Sequence, residues 1–524
     1  MKLNYKRIIL VGFAFFLIQA FWQAYDNTIP MILTNKFGMS QAWSGAIMAL
    51  DNVLALFMLP LFGAISDKHH SKWGRRTPFI VVGTLIAAVM LIALSFVDNA
   101  QLHHISDVAA IDDSAALETI YDREADETLL TPGGQKFVLS RQFTKEEFTQ
   151  IRSQITVDGA AVTNPDYTNY VMPARQACAW DATAKSPVTL VFFIALLLVI
   201  LVSMAVFRSP AVALMPDVTP KPLRSRGNAV INLMGAVGGI LYLALAAVLY
   251  PASRKVAGHV DYQPLFIIVS LIMAVSVLVL ALTVKEKRLS EENRALEKQH
   301  PDWNLAAKDE SGNEVLPKEV KRSLTFLLAS ISLWFIAYNG VTTWFTKYIE
   351  QVMGEGLGGA STCLLVATAG AICSYIPIGA LAAKIGRKRT IQLGVALLTL
   401  CFLLGFVLTC TSSVITPVMY VVFALVGLAW AAINVNSLPM VVEMCRGSDI
   451  GRFTGYYYTF SMVAQVVTPI AAGSLMRAID YRVLFPYAAI FSALSFVTMC
   501  FVRHGDAKAE VKKGLEAFED MDVE

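Results

Sequence analysis

Long apolar segments recur along this chain and limit what it can fold into. A bilayer core about 30 Å thick needs roughly 20 apolar residues in each crossing helix, and in lipid only helices or closed barrels satisfy every backbone polar group. The segments here have helix length and lack the short alternating pattern of barrel strands. Since 56% of the residues are hydrophobic and only 16% are charged, the sequence predicts an all-α membrane protein.

Twelve segments are predicted to cross the membrane. The first is read as a retained helix, because it is too long and too polar near its end for a cleaved signal peptide. The predicted spans are residues 8–33, 42–66, 78–97, 188–213, 228–250, 263–284, 323–348, 360–383, 390–410, 416–441, 454–476 and 483–502.

The distribution of Lys and Arg predicts the orientation. With the N-terminus inside, most basic residues fall in loops on the cytoplasmic side and few fall outside. Both termini are therefore expected in the cytoplasm, and the chain in a cell membrane, plasma or inner. The net charge of +3 reflects this topology, and no nucleic-acid partner is expected because the basic residues lie in short turns.

The polar segments between the spans divide the chain. The long insertion after span 3 has a composition that favours a partly disordered segment over a small exterior cap. It cannot close an internal disulfide, because Cys178 is its only cysteine. The predicted divisions are helices 1–3 of an N-terminal bundle in 1–97, an extracytoplasmic insertion in 98–187, helices 4–6 in 188–284, a cytoplasmic linker in 285–322, helices 7–12 of a C-terminal bundle in 323–503 and a cytoplasmic tail in 504–524.

Two stretches far apart in the chain are weakened copies of each other. Gly63 to Pro78 reads GAISDKHHSKWGRRTP, and Gly379 to Thr390 reads GALAAKIGRKRT. Each leaves an apolar segment, crosses a short basic turn and enters the next apolar segment. Internal repeats of this kind are typical of transporters, so the sequence predicts two related halves. Residue spacing indicates no enzyme active site, metal site or cofactor.

Two carboxylates lie inside predicted spans, where a charge is costly and commonly functional. Asp26 shares a helix face with Gln19, Trp22 and Gln23 through steps of three, four and seven residues, and Asp51 lies in span 2. An indole, amides and a carboxylate on one face suit a sugar, since aromatic rings pack on pyranose faces and polar groups bond hydroxyls. We predict that Asp26 and Asp51 bind the coupling ion, H⁺ or else Na⁺, and thereby link its gradient to solute binding.

Spans 7, 10 and 11 carry a similar mixture of aromatic and amide residues. Alternatively, the aromatic residues anchor helices at the membrane interface and the amides bond neighbouring helices. The predicted substrate-binding residues are Gln19, Trp22, Gln23, Asn27, Trp334, Tyr338, Asn339, Asn434, Asn436, Tyr457 and Gln465.

Arg208 is the candidate positively charged side chain within the predicted spans. An unpaired guanidinium near the inner end of span 4 would be costly, so it is expected to meet a carboxylate, a helix C-terminus or substrate. Glu443, at the inner end of span 10, is one possible partner. Gating or structural pairing is favoured over direct substrate contact for both residues.

The first copy of the repeat resembles a known signature. Its Gly63, Asp67, Gly74, Arg75 and Arg76 are similar to the cytoplasmic motif of the major facilitator superfamily, in the long-loop GRRxP form of sucrose transporters, solute carrier family 45 and glycoside-pentoside-hexuronide symporters. Further resemblance to bacterial relatives of family 45 lies in the segments RSPAVALMPDVTPKPLRSRGNAVINLMGAVGGI, GLAWAAINVNSLPMVVEM and GRFTGYYYTFSMVAQVVTP.

This resemblance implies two pseudo-symmetric six-helix bundles that rock around a central site. Asp67 would pair with basic residues or helix ends across the bundles, and Arg75 and Arg76 would hold the loop, all in gating roles. In the second copy Ala383 replaces the acidic residue. The basic residues of this copy that occupy the corresponding gating positions are Arg387 and Arg389. They are expected mainly to fix topology.

The predicted function is import of a disaccharide or other glucoside, of the sucrose or maltose type, by proton symport with alternating access. The alternatives are a carrier of another small solute, such as a hexuronide or pentoside, with Na⁺ coupling or exchange, and a non-transporting membrane receptor. The protein is expected to be monomeric in the bilayer. Neither the sugar nor the cation follows from the sequence, since one transporter fold serves many substrates.

Overall fold

Twelve long apolar helices lie in the described part of the chain, which confirms the predicted number of spans. The computed structural model describes residues 3–131, 135–157, 160–249, 261–300, 307–308, 314–353, 357–412, 415–445 and 449–506. Spans 1 to 12 are Tyr5–Lys36, Trp43–Lys68, Thr77–His104, Val188–Val218, Lys221–Ala246, Gln263–Thr283, Lys318–Phe345, Thr362–Ile385, Arg387–Thr411, Pro417–Glu443, Ile450–Met476 and Tyr481–Cys500.

Several helices continue past the apolar segments that predicted them. In span 1 the α-helix Tyr5–Met31 passes into a π-helical turn, Ile32–Lys36, and span 3 runs on to His104 where an end at 97 was predicted. Hydropathy marks only the part of a helix that lies in lipid, so polar helical ends are missed. The helices around spans 5, 7, 8 and 11 likewise extend over Arg224–Leu249, Lys318–Met353, Leu357–Ile385 and Ile450–Ala478.

Prolines interrupt the hydrogen-bond ladder of six spans. A proline has no backbone N–H, so the carbonyl four residues earlier loses its helical donor. In membrane helices such carbonyls need another partner. The interior prolines are Pro30, Pro60, Pro210, Pro216, Pro377, Pro439 and Pro469.

Spans 1–6 and spans 7–12 form two bundles, each with its own apolar core. Phe207 and Phe266 are fully buried in the first core, and Trp334 and Phe402 in the second. Large apolar side chains such as Leu282, 71% exposed, point away from both cores. These outward apolar residues suit contact with lipid, where apolar exposure carries no penalty.

The bundles meet where spans 2 and 11, and spans 5 and 8, pack against each other. Glycines allow these close approaches. A Cβ on Gly63 would collide with the carbonyl of Gly451, and a Cβ on Gly379 would come within 2.9 Å of the Ala229 side chain. Small residues at such crossings let helix backbones approach in a membrane.

The insertion between spans 3 and 4 is an ordered domain in its described part, and the expectation of partial disorder is wrong there. Its buried core includes Leu117, Phe148 and Tyr167. Its helices are Ser106–Ala109, Ser114–Glu124, Leu139–Gln142, Lys145–Gln150, the π-helical Tyr167–Val171 and Met172–Lys185, and its antiparallel strand pairs are Leu129–Leu130 with Lys136–Phe137 and Gln154–Val157 with Ala160–Thr163.

Hydrogen bonds attach the insertion to the N-terminal bundle. The Gln176 amide donates to the Met39 carbonyl at 2.6 Å, and the Gln101 amide donates to the Thr183 hydroxyl at 3.0 Å. Gln101 also donates to the carbonyl of Lys36, whose ammonium forms a buried ion pair with Asp98 at 2.7 Å. We call this side of the molecule the insertion end.

The opposite side, called here the basic end, carries the loop at 69–76, residues 219–223, the described parts of the linker, and residues 386, 444–445 and 449. The linker contains the helix Glu286–Gln299 and a strand pair, Ala307–Lys308 with Glu314–Val315. Of the predicted tail, residues 507–524 lie outside the described residues. His504 packs against span 7, with its Nδ1 2.9 Å from the Ser323 hydroxyl.

Candidate functional site

A cavity of about 470 Å³ lies between the two bundles. Spans 1, 2, 4 and 5 line it from one bundle, and spans 7, 10 and 11 line it from the other. Seven residues predicted from sequence as substrate or cation ligands come together on its wall, and they are Gln19, Trp22, Asp26, Asp51, Asn434, Tyr457 and Gln465.

Arg208 provides the positive charge of this cavity. Its guanidinium lies over the Trp22 ring at 5.3 Å and over the Tyr458 ring at 5.1 Å, so it is held between one aromatic residue from each bundle. Asp26 and Asp51 both lie within electrostatic range of Arg208. The suggested pairing of Arg208 with Glu443 is wrong, because Glu443 forms an ion pair with Arg387 at the basic end.

Aromatic rings form one side of the cavity. Trp430 stacks on Tyr338 with ring centroids 3.7 Å apart and an interplanar angle of 6°, and Phe335 packs edge-on against it at 5.3 Å. The Tyr457 hydroxyl lies 3.1 Å from the Ser437 hydroxyl. Tyr338 therefore supports Trp430 from behind, and Trp430 presents its surface to the cavity.

Amide side chains complete the lining, and three of them were not predicted. Asn228 and Asn232 come from span 5 and Asn52 from span 2. The Asn232 amide donates to the Asn228 carbonyl at 2.9 Å. The signal was present in the sequence, because two asparagines four residues apart share one face of an otherwise apolar helix.

The remaining predicted substrate residues lie outside the cavity lining. The Asn27 amide donates to the Gln23 carbonyl at 2.7 Å, and Asn436 donates to Ala432 at 2.8 Å, so these amides bond within their own helices. Trp334 is fully buried in the C-terminal core. The residues that do not reach the cavity are Gln23, Asn27, Trp334, Tyr338, Asn339 and Asn436.

At the basic end, Asp67 joins the two bundles. Its two carboxylate oxygens accept the backbone N–H groups of Gly451 and Arg452, each at 2.9 Å, at the N-terminus of span 11. The positive end of that helix dipole favours a carboxylate at this place. Asp67 also pairs with Arg76 of its own bundle.

The two arginines of the first motif hold the loop against span 4. Arg76 is fully buried and its Nε lies 2.7 Å from Asp217, and Arg75 reaches the same carboxylate at 2.9 Å. Paired buried carboxylates raise the pKa of Arg76, although desolvation acts in the opposite direction. Arg76 thus bridges Asp217 to the carboxylate that contacts the other bundle.

Gly74 allows a second carboxylate to close this loop. Its φ of +119° favours glycine, and a Cβ there would collide with the side chain of Glu286. Glu286, at the start of the linker helix, accepts the backbone N–H groups of Arg75, Arg76 and Thr77 at 2.7–2.8 Å. The linker therefore caps the N-terminus of span 3.

The second copy of the motif also makes contacts between the two bundles. The expectation that its basic residues mainly fix topology is therefore wrong for Arg387. Arg387 is 2% exposed and donates to the Ser225 hydroxyl at 2.8 Å and to the Lys221 carbonyl, both in the N-terminal bundle. It also pairs with Glu443. Arg389, by contrast, is exposed.

Comparison with known proteins identifies the family. The family model described as Major Facilitator Superfamily matches residues 176–403 and 354–520, which is more than half of the chain. The chain belongs to the Major Facilitator Superfamily. It is therefore a multi-pass membrane transporter and not an enzyme, and the predicted fold class is confirmed. A second family model, described as MFS/sugar transport protein, matches residues 10–103.

Curated relatives match over short stretches. Sucrose transport protein SUC3 of Arabidopsis thaliana is 39% identical over 67 residues, which are 13% of this chain and 11% of that protein. Sucrose transport protein SUC4 of the same plant is 36% identical over 59 residues, 11% of this chain and 12% of that protein. The match thus spans only about a tenth of the length of these relatives.

Solved structures share the whole fold. A bacterial homologue of the iron transporter ferroportin, in its outward-facing state, aligns with a TM-score of 0.59 at 12% identity over 95% of this chain and 99% of its own. FucP in the outward conformation aligns with a TM-score of 0.58 at 11% identity, over 95% of this chain and 98% of its own. The proton:xylose symporter XylE aligns with a TM-score of 0.56 at 12% identity, over 96% of this chain and 97% of its own. Such low identities establish the fold alone.

Proposed function

We propose that this transporter imports a disaccharide or other glucoside by proton symport. The observation that carries the proposal is the composition of the central cavity, where tryptophan and tyrosine rings, amides and two carboxylates converge in about 470 Å³. That volume falls within the usual range of small-molecule sites, roughly 300–1,000 Å³. The match of residues 10–103 to a sugar-transport family model and the short matches to sucrose transport proteins support the same substrate class.

The polar and apolar groups of the cavity suit a sugar ring. Trp430 offers a flat surface to the apolar face of a pyranose, and its orientation is fixed by the stack on Tyr338. Gln19, Asn434 and Gln465 offer both donors and acceptors, which match hydroxyl groups that also donate and accept. A glucoside would therefore touch both bundles at once.

The charges of the cavity support proton coupling. Among the described residues that line the cavity, Arg208 is the one cation near Asp26 and Asp51, so the three side chains carry a net charge of −1 when all are ionised. One proton on either carboxylate makes the group neutral. An uncompensated charge in a membrane-enclosed cavity is costly, so a proton and a neutral sugar would favour each other's binding.

Alternating access would then proceed through the basic end. With that end in the cytoplasm, release of sugar requires the contacts of Asp67 with span 11 and of Arg387 with the N-terminal bundle to break. These contacts are short and few, which suits a seal that opens in each cycle.

Uptake into proteoliposomes tests the proposal. Labelled sucrose and maltose should accumulate above the outside concentration only under an inward proton gradient, and a protonophore should abolish the accumulation. Asp51→Asn should prevent accumulation while leaving exchange of internal for external sugar. Absence of sugar movement under H⁺ and Na⁺ gradients alike would refute the function.

A sugar acid is the second candidate substrate, because the cavity holds a guanidinium that could pair with a carboxylate. Competition separates the two. If the neutral glucoside is the substrate, a glucuronide of equal size should compete poorly with labelled maltose. Strong inhibition by the glucuronide, lost in Arg208→Gln, would instead favour the sugar acid.

A further inference from the structure

Pro439 leaves one buried carbonyl of span 10 without its helical donor. The carbonyl of Val435, four residues earlier, would accept from residue 439 in a regular helix, and proline has no N–H to give. Val435 is fully buried. A buried carbonyl without a partner is costly, so this position requires a donor from elsewhere.

The donor comes from the other bundle. The side-chain amide of Asn228, in span 5, donates to the Val435 carbonyl at 2.8 Å and also approaches the Asn434 carbonyl at 3.1 Å. Asn228 is 3% exposed and lines the central cavity. The hydrogen bond therefore joins the two bundles at the wall of the cavity.

A second contact of the same kind lies between spans 2 and 11. Pro60 removes the helical donor of the Leu56 carbonyl, and the Thr459 hydroxyl from the other bundle donates to that carbonyl at 3.4 Å. Gly455 permits the approach, since a Cβ there would lie only 2.9 Å from the Pro60 nitrogen. In both cases a proline in one bundle creates an acceptor that a side chain of the other bundle uses.

We propose that Asn228 is a positioning residue that holds the basic end closed by donating to the carbonyl that Pro439 leaves free. Separation of the bundles at this end breaks the hydrogen bond and leaves the Val435 carbonyl without a partner, so the contact favours the closed state. The inference rests on the proposed function only in that the basic end opens during transport.

Cys445 is a built-in reporter of this opening. It is 2% exposed at the basic end, and its thiol donates to the Val442 carbonyl at 2.8 Å. Burial raises the pKa of the Cys445 thiol to about 12, with the Arg224 and Lys221 charges of the other bundle acting in the opposite direction. A thiol that is buried and protonated reacts slowly, so maleimide should label it mainly when the bundles separate.

The experiment measures the labelling rate of Cys445 in the full chain by peptide mass spectrometry. Asn228→Ala removes the donor, and Pro439→Ala restores a helical N–H to the Val435 carbonyl. Each should raise the rate roughly fivefold, the effect of about one net hydrogen bond. The double variant should label no faster than the faster single variant, because both changes act on one contact.

Pro377→Ala is the matched control. Pro377 lies in span 8, and in the described part of the chain no side chain of the other bundle donates to the Cys373 carbonyl that it frees. This variant should leave Cys445 labelling at the wild-type rate. Unchanged rates in Asn228→Ala and Pro439→Ala, or effects that multiply in the double variant, would overturn the proposal.

Two features keep the result interpretable. If Asn228→Ala fails to fold, Pro439→Ala still tests the same contact, because it adds a backbone hydrogen bond and removes no side-chain donor. No sugar is present during labelling. A failure of sugar uptake would therefore contradict the proposed function and leave this inference standing. Unchanged labelling in the variants, together with normal sugar uptake, would contradict this inference and leave the proposed function standing.

Discussion

Asp67→Asn should open the basic end. The carboxylate accepts two backbone N–H groups of span 11 at 2.9 Å, and its pairing with Arg76 lies within one bundle and so survives separation of the bundles. Each hydrogen bond to a charged group contributes about 1.5–3 kcal/mol, and the amide retains one neutral acceptor worth about 1 kcal/mol. Closure is therefore weakened by at least about 2 kcal/mol, roughly a 30-fold larger population of the open state.

The assay is again the maleimide labelling rate of Cys445, measured at low reagent concentration so that the rate follows the open population. Asp217→Asn is the matched control. Asp217 binds Arg75 and Arg76 within its own bundle, so its loss should lower the melting temperature but change the labelling rate less than Asp67→Asn. A rate in Asp67→Asn within twofold of wild type, or equal increases in both variants, would refute the reasoning.

Three further predictions concern stability. Arg387→Ala leaves the buried Glu443 carboxylate without its ion pair and should destabilise the protein by about 3–5 kcal/mol, seen as a lower melting temperature in detergent that Arg387→Lys partly restores. Glu286→Ala removes the acceptor for three N–H groups at the start of span 3 and should cost about 2 kcal/mol or more, whereas exposed Glu291→Ala should not change the melting temperature. Burial raises the pKa of the Glu124 carboxyl above its usual value, so the folded insertion binds more protons than the unfolded chain. Its stability should therefore fall as the pH rises from the usual pKa of a glutamate to the raised pKa. Hydrogen-exchange protection of residues 114–124 in the full chain, taken relative to the intrinsic base-catalysed rate at each pH, should fall accordingly, and Glu124→Gln should abolish this pH dependence of the protection.

The fold could be predicted because lipid imposes a simple rule on the sequence. Each helix must offer a long apolar stretch, and the repeated motif around Gly63 and Gly379 marks equivalent places in the two bundles. The helix ends could not be placed as well, since span 3 continues as a polar helix to His104 once it meets the insertion.

The candidate site could be predicted only in part. Helical periodicity shows which residues share one face of a helix, but not whether that face points to the cavity. Gln19, Trp22 and Asp26 of span 1 do reach the cavity, whereas Asn27 lies about 80° round the helix from Gln19 and bonds its own backbone. In span 7 the cavity receives Phe335, while Trp334, one residue away, is buried. Packing with other spans sets that rotation, and no local pattern encodes it.

Long-range pairing was equally out of reach. Arg208 and Glu443 were opposite charges near the inner ends of two spans, yet one lines the cavity and the other binds Arg387. Composition gives the wrong expectation for the insertion, because its polar residues outnumber the spaced apolar ones, such as Leu117 and Ile120, that form its core.

The attachment of the insertion to the N-terminal bundle has a practical consequence. Small transporters without domains outside the bilayer are hard to orient in electron-microscope images, because the detergent micelle hides their only features. Here Gln176 and Thr183 fix a folded domain to the loop after span 1 and to span 3, so it moves as part of one bundle. An antibody fragment raised against it would mark that bundle in every particle, and the other bundle's rotation could be measured against it.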